Sequence, residues 1–174
     1  MAKTGDAVSL TALAGAHSGV LLTTQAMACG WPQRRLNRRP VSDGWTRIRT
    51  GAWLEPGREL NEMALLHADQ VGRPHLVVSH TAAAVLHDVE TRTQRVEFTA
   101  PRGVSTTVHG GVLHKMRLGP EETTTVGGLR TTTVVRTMAD LLRAGPRDDA
   151  LVAVESAVSG RPSRYGAGGG VGSR

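Results

Sequence analysis

The chain has 174 residues, 39% of them hydrophobic, a formal net charge of +6 and a single cysteine, Cys29. This length allows one large domain or two small ones, and a single cysteine excludes an intramolecular disulfide framework and fits a reducing cytoplasm. Because no apolar run approaches the length of a membrane span, we expect a cytoplasmic protein that does not enter a membrane.

The positive charge is concentrated in the first third of the chain. Residues 1–58 hold eight Lys and Arg against three Asp and Glu, whereas residues 59–174 hold thirteen against twelve. An isolated basic run is most simply a solvated face, but a run on a DNA-reading helix neutralises phosphates. Whether the excess charge indicates a solvated face or a DNA-binding surface therefore depends on the element that carries it.

A helix, a tight turn and a second helix are predicted near the start of the chain. A short helix over residues 8–16 and a strand over residues 19–22 precede a helix that Thr23 or Thr24 caps. Gly30 allows that helix to end in a left-handed conformation, and Pro32 suits the first position of the next helix.

The second of these helices is strongly basic. Its four arginines fall within an arc of roughly 140°, at about 100° per residue, and Leu36 points away from them. They are Arg34, Arg35, Arg38 and Arg39. Pro40 limits the helix to about two turns. The arginines are predicted to contact phosphates and guanine edges, and Gln33 to read an adenine.

A two-stranded wing is predicted after the basic helix. Residues 45–49 form one strand, Thr50-Gly51 a short turn, and residues 52–54 the return strand. Arg47 and Arg49 on the first strand are predicted to grip the adjacent DNA backbone. These elements together predict a winged helix-turn-helix DNA-binding domain over residues 1–55.

The rest of the chain indicates a small mixed α/β domain over residues 59–158, after a linker over residues 55–58. Helices are expected at residues 59–71, 81–87, 134–143 and 148–158, and strands at 76–78, 95–99 and 129–132. Gly110-Gly111, between residues 104–108 and 112–116, predicts a hairpin. Residues 159–174 are rich in glycine and are predicted to be a disordered tail. The predicted fold class is α+β.

No pattern in the sequence indicates catalysis. A carboxylate–lysine nuclease needs an acidic residue two positions before a lysine, and neither Lys3 nor Lys115 has one. P-loop and dinucleotide fingerprints are absent, as is the Gly-Ser motif followed by a carboxylate that a nucleotidyltransferase needs. His80 and His87 lie too far apart on one helix to share a metal without a third element. We therefore expect no enzyme activity, no metal and no cofactor.

Several segments occur in an order that resembles one protein family. They are GVLLTTQAMACGW, RRL, GWTRIRTGAWL, LVVSHTAAAVLHDV, RVEFTAPR, GVLHKMRL and GLRTTTVVRTMADLL. Over about residues 8–158 their order and spacing resemble the AbiEi-type antitoxins of abortive-infection (type IV) toxin–antitoxin systems. Two features depart from that pattern: Pro40 stands where similar proteins usually have an aliphatic residue, and the nuclease-like extension that many of them carry is lacking.

The resemblance implies a winged helix-turn-helix that binds double-stranded operator DNA and represses its own operon. It also implies an AbiEi-like C-terminal domain that counters a nucleotidyltransferase toxin without binding it stably. The matching positions in that domain are Ser79, His80, Ala83, Thr133, Arg136, Thr137 and Asp140. For Arg136 and Asp140, an i,i+4 ion pair within one helix is the simpler interpretation.

A second hypothesis belongs to another functional class. The chain could be an orphan regulator or a degenerate accessory protein-interaction module without antitoxin activity, its basic domain serving as a docking surface. DNA binding that is selective for the upstream sequence and weakens steeply with salt favours the antitoxin-like repressor. Equal, weak binding to any duplex favours the interaction module.

Overall fold

The chain divides between Pro74 and His75 into two units, which we call the N-terminal and C-terminal units. The computed structural model describes residues 8–71, 73–108, 110–144 and 147–159. Both units combine helices with a sheet, so the predicted α+β class is confirmed. The predicted disordered tail lies outside the described residues, except for Ser159, which ends the last helix.

In the N-terminal unit, short helices surround a small antiparallel sheet. Its elements in chain order are α1 (Leu10–Gly15), β1 (Val20–Leu22), α2 (Thr23–Ala28), α3 (Gln33–Leu36), α4 (Arg39–Ser42), β2 (Thr46–Arg49), β3 (Ala52–Leu54) and α5 (Glu62–Gln70). The strand order is β1-β3-β2, and β3 pairs antiparallel with both neighbours. Side chains of Ser9 and Asn61 accept backbone amide hydrogen bonds that cap α1 and α5.

Both faces of this sheet are apolar, because successive residues of a strand point to opposite sides. On one face, Leu21 and the half-buried Trp53 pack with residues of α1, α2 and α3. On the opposite face, Ala52 packs with Ala64 and Ala68 of α5. The sheet is therefore covered on both sides by elements of the same unit.

The boundary between the units lies later than predicted. Residues 55–58, predicted as a linker, and the helix that follows them both belong to the N-terminal unit, which ends at Pro74. Packing is the reason, since α5 covers an apolar sheet face that residues 1–55 alone would leave in water. The predicted hairpin within residues 45–54 is confirmed, with Gly51 in the left-handed region between β2 and β3 (φ +79°).

The turn around α2 agrees with the sequence in part. Gly30 follows the helix in a left-handed conformation (φ +90°), as predicted. The predicted threonine cap is wrong, because β1 leads directly into α2 and Leu22 occupies the N-cap position. The Thr23 amide instead donates to the Gly51 carbonyl at 2.8 Å. Pro32 is the N-cap of α3 rather than its first residue.

The C-terminal unit combines a mixed five-stranded sheet with helices. Its elements are β4 (Val77–Val78), α6 (His80–Leu86), β5 (Glu97–Ala100), β6 (Val112–Lys115), a 3₁₀ turn (Pro120–Glu122), β7 (Thr123–Val126), β8 (Leu129–Thr132), α7 (Val134–Ala144) and α8 (Arg147–Ser159). The strand order is β6-β5-β4-β8-β7. Strands β4 and β8, and likewise β5 and β6, are parallel, whereas the other neighbours are antiparallel.

The predicted hairpin around Gly110-Gly111 is wrong. Residues 104–108 form no strand, and β6 pairs in parallel with β5, with Phe98 opposite Leu113. A side chain at Gly111 would collide with the carbonyl oxygen of Val96, just before β5. The glycine therefore serves the close approach of β6 to β5 and not a hairpin turn.

The buried His67 should make the N-terminal unit sensitive to acid. His67 of α5 contacts the His17 ring, and burial followed by the charge of His17 lowers the pKa of His67 from 6.5 to about 4. Because the folded state binds this proton more weakly than the unfolded state, stability conferred by neutral His67 is lost as pH falls below 6.5. We expect the free energy of unfolding to fall by about 2 kcal/mol between pH 7 and pH 5.

Urea unfolding followed by tryptophan fluorescence tests this expectation, because all three tryptophans lie in the N-terminal unit. His67→Gln should flatten the dependence on pH between 7 and 5. The control His87→Gln alters the C-terminal unit and should leave the tryptophan profile unchanged. An equally steep acid profile in His67→Gln would contradict the assignment to His67.

Candidate nucleic-acid interface

Helix α3 is anchored to the core of the N-terminal unit from both ends. Just before it, the buried Trp31 donates its indole Nε1 hydrogen to the carbonyl of Val8 at 2.8 Å. At its end, Leu36 is buried among residues of α1, α2 and β1. The side chains between these anchors, Gln33, Arg34 and Arg35, are exposed. The helix therefore presents a polar, basic face to solvent.

The basic segment is not the single two-turn helix predicted from the sequence. Helix α3 ends at Leu36, Arg38 lies in a turn, and α4 begins at Arg39. Pro40 explains the break, because in a continuous helix it would lack the amide that bonds the Leu36 carbonyl and would clash with it. In the first turn of α4 that amide is not needed.

The arginines of this segment differ in their partners. The guanidinium groups of Arg34, Arg35 and Arg38 are exposed and, among the described residues, make no hydrogen bond or ion pair. Arg39 instead donates from Nε to Asp43 at 3.1 Å and lies 5.4 Å from the centroid of the Trp31 ring. The first three are free to bind an external anion, whereas Arg39 already has an internal one.

The two arginines of β2 lie on opposite faces of the hairpin. Arg47 pairs with Trp53 and Arg49 with Ala52, so the register shifts by one residue between them. This β-bulge places an extra residue, Ile48, in β2 and reverses the alternation that would have kept both arginines on one face. Arg47 is exposed, with its guanidinium 5.8 Å from the Trp53 ring centroid.

Arg49 faces α5 and is only 18% exposed. Its Nε donates to Oδ1 of the buried Asp69 at 2.8 Å, and its Nη2 donates to Oδ2 at 3.4 Å. The structure thus separates Arg49 from the other six predicted contact residues. The sequence did hold a signal for its partner, because Asp69 lies three and four residues after Leu66 and Leu65 on an otherwise apolar helix face.

A buried polar cluster in the C-terminal unit was not predicted. His80 of α6 stacks on His114 of β6 with ring centroids 3.6 Å apart, and His114 Nε2 lies 3.2 Å from Oε1 of Glu97. The Thr81 amide also donates to Glu97, at 2.9 Å. Ser79, predicted as a helix cap, makes no cap hydrogen bond and accepts from Thr99 instead.

The charges in this cluster are set by burial and by its hydrogen bonds. Burial, and then the charge of His114, lowers the pKa of His80, so this ring is neutral at pH 7. Burial raises the pKa of Glu97, but hydrogen bonds from His114 and Thr81 outweigh it and keep the net value below the usual one. The cluster joins α6, β5 and β6, although among the described residues Nε2 of the buried His80 has no hydrogen-bond partner.

The predicted i,i+4 pair in α7 is confirmed. Arg136 Nε donates to Asp140 at 2.9 Å, and its Nη1 donates to Glu122 of the 3₁₀ turn at 2.5 Å. These contacts join α7 to the segment before β7. Within the described ranges, no group of three or more histidine, cysteine and acidic side chains is placed to hold a metal ion.

Neither the known protein families nor the curated proteins provide a relative of this chain. No protein-family model matches the chain, and no curated protein matches it with significant similarity. In the part of the chain that the structure describes, no helix has the length and apolar character needed to span a bilayer.

Proposed function

We propose that the N-terminal unit is a winged helix-turn-helix that binds double-stranded DNA. The order helix, strand, three short helices, strand, strand supports this proposal, as does the sheet order β1-β3-β2 with the β2–β3 hairpin as the wing. Helix α3, which follows the tight turn after α2, is the reading helix in this proposal. Helix α4 extends the basic segment after a break.

The observation that carries the proposal is the set of exposed arginines without protein partners. They are Arg34, Arg35 and Arg38, which lie on or just after α3. Arg47 on the wing strand is also exposed, but its Nη2 donates to the Thr50 hydroxyl at 3.5 Å. Guanidinium groups that the protein leaves unpaired are available to phosphates and to guanine edges. Arg39 contributes after exchange of its carboxylate partner, and Arg49 is left out because Asp69 holds it.

In the cell, we propose a cytoplasmic, non-catalytic, sequence-specific repressor of its own operon. The resemblance to AbiEi-type antitoxins supports an antitoxin-like role in a type IV system, with a functional link to a nucleotidyltransferase toxin. In this proposal the C-terminal unit corresponds to the AbiEi-like domain. DNA binding rests on the arginines described above, whereas the antitoxin role rests on the order of sequence segments alone.

Binding of the purified chain to its own upstream DNA and to a scrambled duplex, over a salt series, tests the proposal. We expect tight binding to the upstream duplex, weaker binding to the scrambled one, and a steep loss of affinity with salt. Equal and weak binding to both duplexes would contradict a sequence-specific repressor.

One observation favours the alternative of a protein-interaction module. On α7 and α8, four apolar side chains are more than 60% exposed: Val135, Leu142, Leu151 and Val158. Exposed apolar side chains on adjacent elements are typical of protein–protein contact surfaces. If the chain does not select its upstream DNA, this second function becomes the better one. A changed sedimentation coefficient with a candidate partner, lost in Leu142→Ser, would support it.

The ion pair between Arg39 and Asp43 gives a prediction for the proposed interface. Both side chains are about half exposed, so the pair adds little to stability. Asp43→Asn should free Arg39 for phosphate, raise DNA affinity roughly fivefold and steepen the salt slope by about one. Glu55→Gln, which removes the same charge from the Arg58 pair in the same unit, is the matched control. Equal gains in DNA affinity in both variants would mean that the change in net charge alone causes the effect.

A further inference from the structure

The carboxylate of Asp69 is fully buried in the N-terminal unit and lies between two arginines. Arg49 of β2 donates to both of its oxygens, and Nη1 of Arg73 lies 3.8 Å from Oδ1. A buried carboxylate needs such partners, because removing a charge from water is costly unless it is paired and hydrogen-bonded. The contact between α5 and β2 is therefore specific in geometry and not only apolar.

The β-bulge directs Arg49 toward this carboxylate. With regular pairing, Arg49 would share the face of Arg47 and Trp53, away from α5. The extra residue, Ile48, turns Arg49 to the face where Ala52 packs with α5, and Nη1 of Arg49 also donates to the Ile48 carbonyl at 3.2 Å. The bulge and the buried carboxylate act together, because either one alone would leave Arg49 without its bidentate partner.

We propose that Asp69 is a positioning residue that locks the β2–β3 hairpin onto α5 through Arg49. The lock fixes the wing and so holds Arg47 in position for the DNA backbone. This step rests on the DNA-binding function proposed above. Helix α5 then contributes to DNA binding by holding the wing, although it follows the wing in the chain. Asp69 acts through Arg49 and touches no DNA.

The test compares Asp69→Asn, Arg49→Gln, Arg49→Lys and Arg47→Gln in the full chain. Asp69→Asn and Arg49→Gln should each weaken upstream DNA binding about tenfold, because a wing that is mobile in the free chain must be ordered on binding. The salt slope should not change, because Arg47 still reaches its phosphate in the complex. Arg47→Gln should lower the slope by about one unit. Arg49→Lys should recover part of the affinity, because it keeps the charge but not the two-pronged geometry.

Amide hydrogen exchange separates positioning from general destabilisation. In Asp69→Asn, exchange should rise in β2 and β3 while α2 and α3 keep their protection, and the double variant with Arg49→Gln should be no worse than either single one. Faster exchange throughout the N-terminal unit would overturn the proposal, as would a salt slope lowered by one in Arg49→Gln. Should Asp69→Asn fail to fold, Arg49→Gln and Arg49→Lys provide the same readouts.

The outcome also separates this inference from the proposed function. If the wild-type chain binds no DNA, the proposed function fails, and the exchange data still decide whether Asp69 locks the hairpin. If the wild-type chain binds its upstream DNA but exchange in β2 and β3 is unchanged by Asp69→Asn, the lock fails and the DNA-binding function stands.

Discussion

Replacing Arg34, Arg35 and Arg38 together with glutamine should weaken binding to the upstream duplex by roughly a hundredfold at physiological salt. These arginines are exposed and have no protein partner among the described residues, so their removal costs the fold little. Each neutralised phosphate releases condensed counterions, and the slope of log K against log salt should therefore become shallower by about three. Fluorescence anisotropy at several salt concentrations measures both quantities.

A matched variant controls for the overall charge. Arg102, Arg117 and Arg143 are exposed arginines of the C-terminal unit, and their joint replacement with glutamine lowers the net charge by the same amount. If the proposed interface is correct, this control should lose only a small, non-specific part of its affinity. Equal losses in the two triple variants would mean that the chain attracts DNA through net charge and has no reading helix.

Local signals in the sequence were sufficient for much of the N-terminal unit. The Thr50-Gly51 turn and Gly30 were placed correctly, because a left-handed glycine determines where a hairpin turns or a helix ends. The burial of Leu36 followed from its spacing against the four arginines of the basic segment. These features depend on a few adjacent residues, and such features can be predicted from a single sequence without an alignment.

The structure departs from the sequence-based expectations where it depends on residues that are distant in the chain. Arg47 and Arg49 were both predicted to grip the DNA backbone from the wing. Regular strand alternation would put them on one face, and only the bulge and Asp69, twenty residues later, separate them. The basic helix was predicted as one piece, although Pro40 was recognised as a stop. The restart of helix after Arg38 depends on the burial of Pro40, and its carbonyl accepts from the Trp45 amide at 2.8 Å.

Apolar periodicity also gave a wrong prediction in the C-terminal unit, for the buried face of α7. The apolar spacing over residues 134–143 predicts that Val135 and Leu142 face inward, yet they are 81% and 62% exposed. The buried face of that helix instead carries Thr137 and Asp140 beside Leu141, and Thr137 shares a 2.7 Å hydrogen bond with Thr132. Polar residues that satisfy one another can form an interior face, and a hydrophobic pattern cannot reveal it.

Gly111→Ala should be the most damaging single change in the C-terminal unit, with a loss of about 3 kcal/mol in its free energy of unfolding. An added Cβ would meet the backbone oxygen and side chain of Val96, and a backbone atom cannot rotate away as a side chain does. Strand β6 would have to move from β5, which breaks the parallel pairing from Glu97 to Ala100. Urea unfolding followed by far-ultraviolet circular dichroism measures the loss.

The adjacent glycine provides the control that distinguishes this pairing from a hairpin. Gly110 has φ +72° with open space around its Cβ position, so Gly110→Asn, a residue that tolerates the left-handed region, should cost less than about 1 kcal/mol. In a Gly110-Gly111 hairpin turn, both positions would need similar backbone freedom and both substitutions would have comparable effects. Tryptophan fluorescence should report an unchanged N-terminal unit in both variants. A mild Gly111→Ala would mean that β6 does not approach β5 as closely as the register requires.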